Sequence, residues 1–215
     1  MVQVKICGFT RAQDVCAACE LGVDMVGVIV GVPTSPRNLS IERAGEVFRG
    51  VGGRVERVVV TTPGLALEIS SKLEPDYVQI HGYRSPDELE RIRDECGIKL
   101  IGVVTISPSS PDVRCAIQLA LRVCEVADLL LLDTEGPAGG GTGRPHDWRV
   151  SGTVARAATR PVFLAGGLNP MNVAEAIRRV RPHGVDVSSG VESGPGLKDV
   201  ELMRTFVAAA KGAGG

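Results

Sequence analysis

The chain has 215 residues, of which 44% are hydrophobic and 23% charged, and its formal net charge is -1. This is the composition of a soluble globular protein, and the near-neutral balance argues against a nucleic-acid partner held by bulk electrostatics. No apolar run approaches the roughly 20 residues needed to cross a bilayer, so no membrane partner is expected. The first ten residues, MVQVKICGFT, enter a strand pattern at once. We therefore expect no signal peptide and a cytoplasmic location.

Short β-branched runs alternate with amphipathic helical stretches along the chain. The predicted strands cover residues 2–6, 25–30, 54–60, 76–80, 99–104, 128–133, 161–166 and 184–189. The predicted helices cover residues 11–22, 40–50, 64–73, 85–96, 112–126, 148–158, 170–180 and 199–211. Three of these helices carry start signals, at Ser40, at Ser85-Pro86 and at Asn169-Pro170.

Eight strands and eight helices in strict alternation predict a parallel sheet with right-handed crossovers. We expect the sheet to close into a (β/α)8 TIM barrel, an α/β fold, with residues 1–215 forming one domain. An open doubly wound sheet is the structural alternative. Because the active site of a TIM barrel lies at the carboxyl ends of its strands, the residues there decide the function.

Six cysteines raise the question of a metal site or disulfides. Cys16 and Cys19 form a C-x-x-C pair, but no second pair at matching spacing follows, so no metal site is expected. The pair lies in a predicted helix, where a free cysteine packs as a small apolar side chain. Burial is the expectation for all the helical cysteines: Cys16, Cys19, Cys96, Cys115 and Cys124.

Cys7 differs because it ends the first predicted strand. Strand alternation places it on the same face as Lys5. A lysine inside a barrel has to be paired, and its charge would favour a thiolate at Cys7. Two interpretations stay open: a reactive thiol, or a small side chain that fills the barrel top while Lys5 bridges to an acid.

Polar side chains follow other strands as well. Arg37 lies in the loop after the second strand, where it either clamps a carboxylate or is simply solvated. Gln79 and His81 share a face at the end of the fourth strand, and a structural role for His81 is equally consistent with the sequence.

Asp133 ends the run LLLLD and shares its face with Leu129 and Leu131. Burial at the end of an apolar row raises the pKa of a carboxyl group, which suits a general acid. The alternative is an aspartate that caps the following turn. His146 and His183 are weaker candidates for the site, and His183 precedes the last strand at the far end of the barrel.

Glycine-rich loops follow the last three strands, as GGGTG at 139–143, AGGL at 165–168 and SSG at 188–190. Glycine lets backbone N–H groups approach an anion closely, and TIM barrels often bind phosphate after strands 7 and 8. We expect a phosphorylated small molecule to be held by these loops, at Gly141, Thr142, Gly143, Gly166, Gly167, Ser188, Ser189 and Gly190.

At these positions the sequence resembles the phosphoribosylanthranilate isomerase family. The matching segments are spread over the whole chain in family order: VKICGFT (4–10), SPR (35–37), VQIHG (78–82), LLDT (131–134), GGTG (140–143), LAGGLNPMNVAEAI (164–177) and GVDVSSGVESGPGLKD (184–199). The chain departs from the family in the loop VGVPTSPR, in the extra EGPAG after the sixth strand, in the end of the third strand, and in HDW at 146–148, where the family usually has FDW.

The resemblance implies an Amadori rearrangement of a phosphosugar in tryptophan biosynthesis, without a cofactor. It implies that Asp133 is the general acid, that Cys7 is the general base and that Arg37 holds the anthranilate carboxylate. The glycine loops would hold the phosphate, and the protein would be a monomer or homodimer.

Two other functions are alternatives on this fold. A related phosphosugar enzyme is one. The histidine-pathway isomerase typically pairs two aspartates, and here Cys7 occupies the first of those positions. Indole-glycerol-phosphate synthase would need a lysine acid and an extra N-terminal helix, whereas residue 1 almost begins the first predicted strand. A non-catalytic phosphate-binding protein on the same fold is the other, and the presence of both catalytic candidates argues against it.

Overall fold

A computed structural model describes residues 1–107, 112–135 and 146–214. Its strands are β1 (Gln3–Cys7), β2 (Met25–Val30), β3 (Asn38–Leu39), β4 (Glu56–Thr61), β5 (Tyr77–Ile80), β6 (Lys99–Ile106), β7 (Leu129–Thr134), β8 (Val162–Leu164), β9 (Gly184–Val187), β10 (Glu192–Gly194) and β11 (Leu197–Lys198). Eight of them pair in parallel around a closed ring, in the order β1, β2, β4, β5, β6, β7, β8, β9 and back to β1. The predicted TIM barrel is confirmed, and the open sheet is excluded because β1 pairs with both β2 and β9.

Helices cover the outside of the barrel: α1 (Ala12–Glu20), α2 (Ile41–Phe48), α3 (Ala66–Leu73), α4 (Pro86–Cys96), α5 (Val113–Val126), α6 (Trp148–Ala157), α7 (Val173–Val180) and α8 (Val200–Ala213). Two predicted start signals are confirmed, because the hydroxyls of Ser40 and Ser85 accept hydrogen bonds from backbone N–H groups of the first turn. The third is misplaced. Asn169 accepts a hydrogen bond from the Met171 N–H and forms a turn, so α7 begins only at Val173.

Strands β8 and β9 end earlier than the sequence predicts, at Leu164 and Val187. After β8 the backbone turns through Gly166 and Gly167, which have φ of 84° and 66° and so adopt the left-handed conformation that glycine tolerates. After β9 it forms a short 3-10 helix, Ser189–Val191. Both loops therefore turn away from the sheet as soon as they reach its carboxyl edge.

Apolar side chains fill two layers. The inner layer, inside the barrel, consists of Met25, Val58, Ile101, Leu129, Leu131, Phe163 and Ala165. The outer layer lies between the strands and the helices and takes the alternate residues of each strand, such as Leu130 and Leu132. This alternation gives each strand one face toward the barrel interior, which fixes which side chains reach its open end.

The expectation that the helical cysteines are buried is wrong for two of them. Cys124 is buried in α5, but Cys16 and Cys115 are exposed and Cys19 and Cys96 are partly exposed. The cause is helical phase, since α1 turns Val15 and Ala18 toward the barrel and leaves Cys16 on its outer side.

Candidate active site

A cavity of about 420 Å³ opens at the carboxyl ends of the barrel strands. Among the residues around it are six that the sequence singled out, contributed by β1, β5 and β7 and by the loops after β2, β5 and β9: Cys7, Arg37, Gln79, His81, Asp133 and Ser188. Asp186 also lines it. The fold thus brings together side chains that lie up to 181 positions apart in the chain, as Cys7 and Ser188 do.

The Cys7 thiol lies at the floor of this cavity, next to β2. Gly27 is its partner in the β1–β2 register, and a Cβ atom built on Gly27 would be only 2.9 Å from Cys7 Sγ. Two residues earlier on the same face of β1, Lys5 is fully buried. It donates hydrogen bonds to Asp186 Oδ2 at 3.0 Å and to Gln79 Oε1 at 3.1 Å. The bridge from Lys5 to an acid is therefore confirmed.

Two opposing effects act on the Cys7 thiol. Burial raises its pKa, and the ammonium groups of Lys5 and Lys198 act in the opposite direction without cancelling it. The expected influence of Lys5 is present, but desolvation outweighs it, so the pKa of Cys7 is raised overall. The thiolate therefore depends on those two cations for its stability.

Asp133 ends the inward face of β7, above Leu131 and Leu129 of the inner apolar layer. Burial raises the pKa of its carboxyl to about 6, although the Thr134 N–H, which donates to Asp133 Oδ1 at 2.7 Å, opposes the shift. The predicted direction of this pKa shift is confirmed. A carboxyl with a pKa of about 6 can both hold and release a proton near neutral pH, as a general acid must.

Arg37 is not free, as a solvated loop residue would be. Its Nε donates to Glu192 Oε1 at 2.8 Å and its Nη2 to Glu192 Oε2 at 2.6 Å. The side chain crosses directly over Gly8, where a Cβ atom would lie 2.4 Å from Arg37 Cδ. One edge of the guanidinium is thus occupied by Glu192, and the Nη1–Nη2 edge remains for a ligand carboxylate.

Lys198 connects this ion pair to the strand ends. Its ammonium group is buried and donates to Glu192 Oε1 at 2.6 Å, to the Cys7 carbonyl at 2.6 Å and to the Ser188 carbonyl at 3.0 Å. Burial alone would raise the pKa of Glu192, but the hydrogen bonds and charges of Arg37 and Lys198 outweigh it and lower that pKa. Glu192 therefore stays ionised and holds both cations.

Sequence reasoning missed Glu192, Lys198 and Asp186 as parts of the site. Glu192 and Lys198 stand in the motif GVESGPGLKD, but nothing in one chain shows that an exposed-looking Glu and Lys fold back onto β1. Asp186 could have been found, because alternation along β9 puts it on the same face as Ser188.

The loops after β8 and β9 lie side by side. A Cβ atom on Gly190 would come within 2.0 Å of the Leu168 carbonyl, so only glycine allows this approach. Ser188 lines the cavity, and Ser189 and Gly190 belong to the 3-10 turn that follows it. Gly166 and Gly167 lie in the neighbouring loop, after β8. The remaining predicted phosphate-binding residues, Gly141, Thr142 and Gly143, lie outside the described residues.

The arrangement can perform acid–base chemistry on an anionic substrate. A protonatable carboxyl, a thiol and a guanidinium line one cavity, and the loop after β9 reaches it through Ser188. The guanidinium suits a carboxylate group, and backbone N–H groups of glycine-rich loops suit a phosphate group.

Comparison with known proteins agrees with this arrangement. Residues 4–209 match the family model of N-(5'-phosphoribosyl)anthranilate isomerase. A curated relative of that name from Methanopyrus kandleri is 43% identical, with 98% of this chain and 99% of the relative covered. The solved structure of the phosphoribosyl anthranilate isomerase from Thermotoga maritima superposes with a TM-score of 0.85 at 36% identity, over 99% of this chain and 100% of the other.

A further solved phosphoribosyl anthranilate isomerase is a complex with reduced 1-(o-carboxyphenylamino)-1-deoxyribulose 5-phosphate. It is 35% identical, with a TM-score of 0.82 and coverage of 99% and 100%. With the family model matching nearly the whole barrel and full-length relatives near 40% identity, the chain belongs to the N-(5'-phosphoribosyl)anthranilate isomerase family.

Proposed function

We propose that this isomerase converts N-(5-phosphoribosyl)anthranilate to 1-(2-carboxyphenylamino)-1-deoxyribulose 5-phosphate, with Asp133 as general acid and Cys7 as general base. The observation that carries the assignment is that both side chains line one cavity and that the pKa of Asp133 is raised to about 6. The relative solved with a reduced product analogue supports the choice of substrate. The reaction is a step of tryptophan biosynthesis.

Asp133 acts first. Its carboxyl proton passes to the ring oxygen of the ribose as the C1'–O bond breaks, so that a hydroxyl leaves instead of an alkoxide. The lone pair on the anthranilate nitrogen forms the C1'=N bond of a Schiff base. The inner apolar layer beneath Asp133 keeps its carboxyl protonated to a higher pH than in water, which supports this step.

Cys7 acts second, as a thiolate. It removes the proton from C2', the C–H electrons form the C1'=C2' bond, and the C=N electrons return to nitrogen, giving an enolamine. A proton then reaches C1' from the Cys7 thiol, and the C2' hydroxyl returns its proton to Asp133, which completes the ketone and restores both residues. The ammonium groups of Lys5 and Lys198 favour the thiolate that starts this step.

The two anionic ends of the substrate have separate partners. The free edge of Arg37 would bind the anthranilate carboxylate, oriented by Glu192 on the opposite edge. The phosphate would be bound by Gly166, Gly167, Ser188, Ser189 and Gly190, with Gly141, Thr142 and Gly143 as further proposed ligands. Gln79 supports the base through Lys5, and His81 lines the cavity without an assigned step.

The direct test uses the purified chain and N-(5-phosphoribosyl)anthranilate generated in the cuvette. We expect the anthranilate fluorescence to change at the rate of the isomerisation, and Asp133→Asn to lack this activity while binding the reduced product analogue. Asn has nearly the same size and polarity but no proton to donate at this pH. An inactive wild-type chain that nevertheless binds the analogue would contradict the proposed reaction.

Two further proposals concern the oligomeric state and the cellular location. We propose a single-domain monomer or homodimer, because the Thermotoga maritima relative is a dimeric enzyme; light scattering during gel filtration tests it. No helix in the described part of the chain is long and apolar enough to cross a membrane. A biosynthetic enzyme of this kind fits a cytoplasmic location, which fractionation of cells would check.

A further inference from the structure

His146 forms a buried hydrogen-bonded chain behind Asp133, outside the cavity. Its Nδ1 lies 2.8 Å from Thr134 Oγ1, and its Nε2 is hydrogen-bonded to Ser151 Oγ at the start of α6. Thr134 is 1% exposed, His146 5% and Ser151 not at all. The buried imidazole therefore links the last residue of β7 to the first turns of α6.

The imidazole is neutral at physiological pH. Burial lowers the pKa of His146 to about 4, and only Asp147 acts against this shift. A neutral imidazole offers one donor and one acceptor nitrogen, and each hydroxyl partner can complete either bond. Within the described residues these three polar groups satisfy one another, and loss of the imidazole would leave the buried hydroxyls of Thr134 and Ser151 without this partner.

Thr134 transmits this contact to the acid. Its backbone N–H donates to Asp133 Oδ1 at 2.7 Å, so the position of Thr134 sets the orientation of that carboxyl. On the other side Thr134 touches Gly166, where a Cβ atom would come within 2.1 Å of Thr134 Oγ1. Thr134 is therefore confined between the loop after β8 and the imidazole, and its position in turn fixes the orientation of the Asp133 carboxyl.

We propose that His146 is a positioning residue for the general acid: through the Thr134 hydroxyl it fixes the backbone N–H that orients the Asp133 carboxyl. The proposal rests on the proposed role of Asp133. It gives a function to a buried imidazole that the proposed reaction does not otherwise use.

Two matched pairs of variants test the contact. His146→Phe keeps a ring of similar size but no hydrogen bond, whereas His146→Asn keeps a polar atom near the position of Nδ1. Thr134→Val removes the hydroxyl with little change in shape, whereas Thr134→Ser keeps it. We expect His146→Phe and Thr134→Val to lower kcat about ten- to a hundredfold, as expected for a misplaced reacting group. The other two should retain most of kcat, and KM should change little in all four.

The second readout is the Asp133 carboxyl itself. In protein labelled with 13C-aspartate, its signal is assigned by its absence in Asp133→Asn, and its pKa is followed by titration. Because the Thr134 N–H favours the ionised carboxyl, we expect NMR to give a higher pKa for Asp133 in His146→Phe and Thr134→Val than in the wild type. A lowered melting temperature with unchanged kcat and unchanged Asp133 pKa would overturn the positioning role.

These readouts separate the two proposals. An active wild type with no shift in kcat or pKa contradicts the role of His146 only. An inactive wild type whose Asp133 pKa still moves in the variants contradicts the proposed function only. If His146→Phe does not fold, the comparison of Thr134→Val with Thr134→Ser decides the matter, since both leave the imidazole in place.

Discussion

Arg37 and Glu192 form an ion pair with two hydrogen bonds, 2.8 and 2.6 Å long, beside the cavity. The guanidinium is thereby oriented before any ligand arrives, and less conformational freedom is lost when the ligand binds. Lys198 holds the same carboxylate and also the carbonyls of Cys7 and Ser188. One buried lysine thus connects the proposed base, the proposed carboxylate anchor and a proposed phosphate loop.

The first prediction concerns this anchor. Arg37→Ala should raise KM about ten- to a hundredfold with a smaller effect on kcat, since a hydrogen bond to a charged group contributes about 1.5–3 kcal/mol. Arg37→Lys should restore only part of the affinity, because a single ammonium cannot bind Glu192 and a substrate carboxylate in one plane. Glu192→Gln leaves Arg37 in place but orients it less firmly, so its KM should lie between those of the wild type and Arg37→Ala. Steady-state kinetics with the reduced product analogue as competitor would show this, and unchanged binding in all three variants would place the carboxylate elsewhere.

The second prediction concerns Cys7. Cys7→Ala should lower kcat by about 10²–10⁴, the usual contribution of a general base, with the analogue Kd unchanged. Cys7→Ser is the matched control, since the hydroxyl fits the space beside Gly27 but ionises far less readily than a thiol. Both variants should melt near the wild-type temperature. Turnover close to normal in Cys7→Ala would exclude the role of base.

The third prediction is a pH dependence of stability at Asp133. Its native pKa of about 6 lies above the roughly 3.9 of an unfolded aspartate, so the native state binds the proton more tightly. The contribution of Asp133 to the free energy of unfolding is therefore most favourable below about pH 4. It declines as the pH rises through about 6, and the whole change amounts to about 3 kcal/mol.

Asp133→Asn cannot ionise and should escape this loss. Relative to the wild type, the variant should gain stability between pH 4 and pH 8, as measured by urea unfolding at both values. A difference between the two proteins that does not depend on pH would show that the Asp133 carboxyl is not desolvated.

The fourth prediction concerns the contact between the loops after β8 and β9. A Cβ atom at Gly190 would lie 2.0 Å from the Leu168 carbonyl, so Gly190→Ala must push these loops apart. We expect a KM for substrate raised about tenfold or more and a weaker affinity for inorganic phosphate as a competing ligand. Gly212→Ala, at a site where a Cβ atom meets nothing within 4 Å, is the matched control. Equal phosphate affinity in both variants would argue against a phosphate site at Gly190.

The barrel itself could be predicted because strict alternation of strand and helix leaves few topologies. Cys7, Asp133, Gln79 and His81 could be placed at its open end because strand alternation decides which side chains face inward. The state of the Cys7 thiol could not, since the pKa depends on the balance between desolvation and two lysines, one of them 191 positions away. Glu192 and Lys198 were missed for a similar reason, because their partners Arg37 and Cys7 lie far from them in the sequence.

Loop geometry was predicted least well. Strands β8 and β9 end two residues before their predicted ends, at Leu164 and Val187. Glycines with positive φ end β8, and a 3-10 turn follows β9. His146 was ranked as a weak candidate because its two partners, Thr134 and Ser151, are contributed by different elements. A sequence does not show which hydroxyls a buried imidazole will meet.

Barrel closure has a consequence for biosynthesis. The first strand completes its hydrogen bonds only by pairing with the last, and the Cys7 carbonyl meets Lys198, 191 positions later. Chains leave the ribosome amino terminus first, and contacts between such distant residues form late. During translation the Cys7 thiol therefore emerges long before the residues that enclose it. Until β9 and Lys198 have left the ribosome, Cys7 is an ordinary cysteine without the burial and the cations that set its pKa.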